Sequence, residues 1–160
     1  MDTRRIPEFQ LPSPEGTLLD HRWLGQRPAT LLMVYKSSCA TSLFALEILQ
    51  QVWQRVSLPW ALGLLISQDD PESTRTLVKR HGIRFPVVVD FPEYRLSRRL
   101  GFTTVPALYL VNRHAEILRQ VQGFVRAEYE TILERLFEAH RLSVREVFPD
   151  AASIPPLKPG

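Results

Sequence analysis

The sequence predicts an α/β domain built on a mixed sheet with helices over both faces. Three apolar runs carry that reading: residues 30–35, 60–67 and 106–111. Runs of this length, without polar alternation, suit strands buried on both sides. Between them lie segments with helical periodicity, such as Leu49, Val52, Trp53 and Val56. Strands that alternate with helices imply crossover units and a layered architecture.

The elements follow in order. Residues 9–11 and 17–19 flank the turn Ser13, Pro14, Glu15, Gly16, which predicts a small N-terminal hairpin. Residues 20–25 suit one helical turn, 29–35 a buried strand, and 40–56 the first long helix, with Ser37 or Ser38 as its cap. Residues 60–67 are the second buried strand. Asp70 and Pro71 open a helix as cap and first residue, and Gly82 closes it. Residues 85–89 form a third strand with Pro86 near its start, where a missing donor is tolerated. A short helix runs from Pro92 and Glu93 to Gly101. Residues 106–111 and 116–121 are antiparallel strands joined by a turn at 112–115. The last helix, 126–140, sets Tyr129, Ile132, Leu133, Leu136 and Phe137 on one core-facing stripe. Residues 1–141 thus form one domain. Residues 142–160, with Pro149, Pro155, Pro156 and Pro159, form a proline-rich tail, docked or loose.

Composition narrows the function classes. The 160 residues are 44% hydrophobic and 23% charged, which suits one soluble domain with a sizeable core. No apolar run approaches the roughly 20 residues of a membrane span. Arg4 and Arg5 have no apolar stretch behind them, so the N-terminus is not a signal peptide and a cytoplasmic location is expected. The net charge of +3 comes from scattered arginines interleaved with acids, which argues against a nucleic-acid partner. Four histidines, His21, His81, His114 and His140, lie far apart, and one cysteine excludes an internal disulfide and a cysteine-rich zinc site. No metal and no cofactor are expected.

That cysteine, Cys39, falls where a buried strand ends and a helix begins. Sites in α/β sheets gather at the carboxyl ends of strands. A helix start offers unpaired N–H groups and partial positive charge, which favour a thiolate over a thiol. Cys39 is either a small buried apolar residue or a reactive nucleophile; its placement favours the second.

Three stretches then carry a family resemblance: Pro7-Glu8-Phe9-Gln10-Leu11-Pro12 with Gly16, residues 35–42, and Thr103-Thr104-Val105-Pro106-Ala107-Leu108-Tyr109-Leu110-Val111. Over residues 6–140 the chain resembles the thioredoxin-like superfamily, in the extended form of peroxiredoxins and TlpA-type thiol-disulfide oxidoreductases. The resemblance implies a three-layer α/β/α sandwich with a mixed central sheet and an N-terminal β-hairpin extension. It implies a cis Val105–Pro106 bond beside Cys39, where the alternative is an ordinary trans proline. It also implies that the Val105 backbone pairs with a bound substrate chain.

The departures are specific. The family's Cys-x-x-Cys reads Cys39-Ala40-Thr41-Ser42 here. Ser38 stands where a bulky residue precedes the first cysteine, Glu47 replaces the helix-kinking proline, and Ala115 replaces the usual turn glycine. The expected site is Cys39 and Ser42 as catalytic residues, with Ser38, Val105 and Pro106 binding substrate. Ser42 either donates to the Cys39 sulfur or is merely solvated. With one thiol, the expected activity is monothiol exchange with protein or small-molecule thiols and disulfides, released by an outside thiol. One alternative is an antioxidant thiol peroxidase, although Leu32 and Lys36 stand at the proline and threonine positions of the Pro-x-x-x-Thr-x-x-Cys motif. The other is a non-catalytic binding module whose tail reaches a partner or occupies the groove. Nothing in the sequence sets an oligomeric state.

Overall fold

A computed structural model describes residues 4–56, 62–143, 146–148 and 150–160. Its centre is a five-stranded sheet in the order β5-β4-β3-β6-β7. The strands are β3 (Ala29–Tyr35), β4 (Gly63–Ser67), β5 (Val87–Val89), β6 (Ala107–Asn112) and β7 (Ile117–Gln122). β3, β4 and β5 run parallel, and β6 and β7 run antiparallel to their neighbours. The sheet is therefore mixed, as expected. β1 (Gln10–Pro12) and β2 (Leu18–Asp20) form the separate N-terminal hairpin.

The apolar runs work because the strands are buried on both faces. Leu31, Met33 and Tyr35 of β3 and Leu108 and Leu110 of β6 face one core. There they meet α1 (Ala40–Trp53) and α4 (Arg126–Ala139) through Ala45, Leu49, Trp53, Ile132, Leu133 and Phe137. Leu32, Val34, Leu64, Ile66, Tyr109 and Val111 face the other core, against Leu96 and Leu100 of α3 (Arg95–Leu100) and against Phe9 and Leu24. Successive residues point to opposite faces, so a continuous apolar strand fills two layers at once. α2 (Pro71–His81) adds Leu77 to the α1 side. No helix of the described residues is long and apolar enough to cross a membrane.

Several expected boundaries shift. Asp20 caps a six-residue 3-10 helix, His21–Gln26, rather than opening one turn. β4 begins at Gly63; Trp60 and Ala61, read as part of that strand, lie outside the described residues. So do residues 1–3 and Pro149 of the tail. β5 begins two residues late, yet Leu65 N–H still donates to the Pro86 carbonyl at 2.9 Å, so the proline joins the ladder through its acceptor alone. α3 begins at Arg95, not Pro92, because Tyr94 takes a left-handed φ of 55° and breaks the helical path. Its cap comes from Asp90, whose carboxylate accepts from Leu96 N–H at 3.2 Å and Ser97 N–H at 2.8 Å.

Two short strands have no counterpart in the sequence pattern. β8 (Phe124–Val125) pairs antiparallel with β9 (Leu157–Lys158), in the register Phe124↔Lys158 and Val125↔Leu157. The described part of the proline-rich tail therefore comes back onto the body of the protein.

Candidate functional site

The site forms where β3 ends. β3 hands over to residues 36–38 and then to α1, and Cys39 is the N-cap residue of that helix. Neither Ser37 nor Ser38 caps it: Ser37 N–H instead donates to both carboxylate oxygens of Asp69, at 3.3 and 3.2 Å, and Ser38 is exposed. Cys39 has extended backbone angles and makes no side-chain cap bond, so a thiol stands where Asp or Ser would normally accept. The backbone closes the turn, with Cys39 N–H donating to the Lys36 carbonyl at 3.0 Å and Leu43 N–H to the Cys39 carbonyl at 3.2 Å.

β6 supplies the facing wall. Its register places Ala107 against Val34, so the preceding Val105 and Pro106 sit level with the end of β3. Val105–Pro106 is a cis peptide, as the resemblance implied. A second cis bond, Phe91–Pro92, had no sequence signal. The half-buried Cys39 thiol donates to the Val105 carbonyl oxygen, with Sγ···O 3.5 Å. Cys39, Val105 and Pro106 thus meet, although 66 residues separate the first two.

Ser42 takes a different place. It is fully buried in the first turn of α1, and its hydroxyl accepts Lys36 N–H at 3.4 Å. Among the described residues no hydrogen bond joins it to the Cys39 sulfur, and at 0% exposure it is not a solvated surface serine. Thr41 is also buried, and its hydroxyl donates to the Pro159 carbonyl at 2.5 Å.

Asp69 is the residue that sequence reasoning missed. It is 9% exposed and follows β4 at the same sheet end, holding the strand-to-helix loop through Ser37. Its one signal is its position just past the carboxyl end of a buried strand. Tyr35 lies fully buried below that end, and burial pushes its phenol up to about 12, so it stays neutral. A groove of about 970 Å³ lies elsewhere, between the N-terminal hairpin, α2 and β5. Neither Cys39 nor Pro106 lines it, and the chemistry-bearing residues place the candidate site at the head of α1 instead. No group of three or more potential metal ligands occurs among the described residues.

No family model matches the sequence, and no curated protein matches it. Solved structures do. A Chlorobium tepidum protein provisionally assigned as the thiol:disulfide interchange protein DsbE superposes with a TM-score of 0.72 at 19% identity, over 87% of this chain and 97% of its own. A provisionally assigned thioredoxin from Neisseria meningitidis gives 0.71 at 23%, over 91% and 95%. A thiol-disulfide oxidoreductase from Bacteroides fragilis gives 0.64 at 25%, over 84% and 98%. The sheet order, the helix layers and these likenesses together establish that the chain has the thioredoxin-like fold.

Proposed function

We propose that the protein performs monothiol thiol–disulfide exchange through Cys39. The observation that carries this is the half-exposed thiol at the start of α1, 3.5 Å from the carbonyl oxygen that precedes Pro106. The Cys39 thiolate attacks one sulfur of a substrate disulfide. An S–S bond forms to Cys39, the substrate S–S bond breaks, and the other substrate sulfur leaves as a thiolate. A second thiol, from a small molecule of the glutathione class or from the substrate itself, then attacks the mixed disulfide and frees Cys39. The net change is exchange: the incoming sulfur ends in a disulfide with the substrate sulfur that Cys39 had held, the other substrate sulfur ends as a thiol, and Cys39 is returned unchanged. Ser42 takes no part in release, because a hydroxyl does not exchange with a disulfide. Its part is to hold the loop that presents Cys39, through Lys36 N–H.

The solved proteins of this fold named above include an oxidoreductase of this class, which supports the reading. The peroxidase alternative has less support: Leu32 is fully buried within β3, and Lys36 occupies the position of the motif's threonine. The deciding test is incubation with oxidised glutathione followed by intact mass measurement. One glutathione adduct is expected on the wild-type chain and none on Cys39→Ser. A wild-type chain that forms no adduct, with its tail present or removed, overturns the proposal.

A further inference from the structure

Residues 157–160 lie against the candidate site. β9 pairs with β8, and β8 starts at the Gly123 corner, whose N–H donates to the Pro106 carbonyl at 2.8 Å. Gly123 has a φ of 74°, and a methyl group there would lie 3.0 Å from the Lys158 carbonyl oxygen and 3.2 Å from Gly160 N. The tail is thus laid directly against this corner. From β9 the chain passes the first turn of α1, where Thr41 donates to the Pro159 carbonyl. It then reaches Gly160, where any side chain would run into the Val105 carbonyl oxygen and the Thr104 hydroxyl. That same Val105 oxygen accepts the Cys39 thiol.

Two parts of the tail differ in how they are held. The upstream part is anchored: the Arg126 guanidinium donates to the Ala151 and Ile154 carbonyls at 2.8 and 2.7 Å, and both residues pack against the core. The downstream part is held mainly by main-chain hydrogen bonds. Leu157 is 60% exposed and contributes no apolar anchor, and the Lys158 ammonium sits 4.5 Å over the Phe44 ring. A strand that pairs through its backbone without burying its side chains can give way to another extended chain.

We propose that residues 155–160 are a built-in occupant of the surface beside Cys39, displaced when an extended polypeptide partner pairs with β8 in their place. Residues 151–154 are the tether, and residues 157–160 are the plug. The regulatory consequence rests on the exchange reading above, whereas occupancy of that surface does not. The plug lowers access to the thiol until a partner competes for the same edge.

The test compares the full chain with one shortened after Ile154. Iodoacetamide should alkylate Cys39 at least about fivefold faster in the shortened chain, because the observed rate scales with the fraction of open surface. A Gly160→Leu variant of the full chain should move in the same direction without any deletion. In a second arm, a synthetic peptide of residues 155–160 is titrated into the two chains, both carrying Cys39→Ser. Saturable binding is expected to the shortened chain and not to the full one. Equal alkylation rates in the full, shortened and Gly160→Leu chains overturn the proposal, as does a shortened chain that does not bind the peptide. Peptide binding together with failure of the glutathione adduct would refute exchange and leave the plug standing.

Discussion

α1 and α2 begin at the same end of the sheet and are finished in opposite ways. α2 starts with Asp70, whose carboxylate accepts Ser73 N–H at 2.8 Å and the Ser73 hydroxyl at 2.8 Å, followed by Pro71, which has no N–H to satisfy. That helix start is closed to a ligand. α1 has an N-cap residue with suitable backbone angles but a thiol in place of an acceptor, and no side chain closes its first turn. Two helix starts of one protein thus show the difference between an end completed for stability and an end left open for chemistry. The open end gives up a capping bond and keeps its partial positive charge for whatever forms on Cys39.

The comparison breaks hardest if α1 is closed like α2. Cys39→Asp should abolish the glutathione adduct completely while raising unfolding stability by about 1 kcal/mol, the usual worth of a side-chain cap. Adduct mass and denaturant unfolding read the two effects. A variant that gains no stability would show that the α1 start is not an uncapped helix end.

Next in size is Ser42→Cys. Residues three apart share a helix face, so the new thiol lies over Cys39. Its thiolate should attack the mixed disulfide, expel glutathione and leave an internal disulfide between Cys39 and the introduced thiol. The adduct that accumulates on the wild-type chain should then be only transient, as followed by mass against time. A persistent adduct would place the residue 42 side chain out of reach of the Cys39 sulfur.

The smallest effect belongs to the closed end and depends on pH. Hydrogen bonds from Ser73 N–H and then the Ser73 hydroxyl hold the Asp70 carboxyl below its usual value of 3.8. A depressed carboxylate contributes stability above the unfolded value, and that contribution is lost as pH falls through the folded one. Asp70→Asn should therefore flatten the acid side of the stability profile while leaving the thermal midpoint near neutrality almost unchanged, because Asn accepts the same capping bond. An unchanged acid limb would remove Asp70 as the charged cap of α2.

How much of this is legible in the sequence follows the same division between local and remote causes. The Asp70–Pro71 start and the Gly82 end of α2 are readable, because capping acts within a few residues. The α3 start is not. Its cap, Asp90, reaches forward six and seven residues over a left-handed Tyr94, and no spacing rule covers that route. Ala115 stands at the glycine position of the β6–β7 turn, and it takes the φ of 60° that the position demands. The expected Ser37 or Ser38 cap fails because the chain enters the helix later, with Cys39 at the N-cap position, while Asp69, 32 positions downstream of Ser37, fixes the loop ahead of it through Ser37 N–H.

By itself, then, the sequence determined the layers, the strand order's raw material and the position of one thiol at a strand-to-helix junction. Each of these depends on hydrophobic period and local backbone preference, which a linear pattern records. The tertiary structure alone decided what surrounds that junction: the Val105 carbonyl just before β6 accepts the thiol, the Asp69 carboxylate past the end of β4 holds Ser37 N–H, and residues 157–158 pair with β8. Those neighbours come together only when remote segments share one sheet end. Pairing as short as two residues, held by backbone hydrogen bonds, leaves no imprint on side-chain pattern.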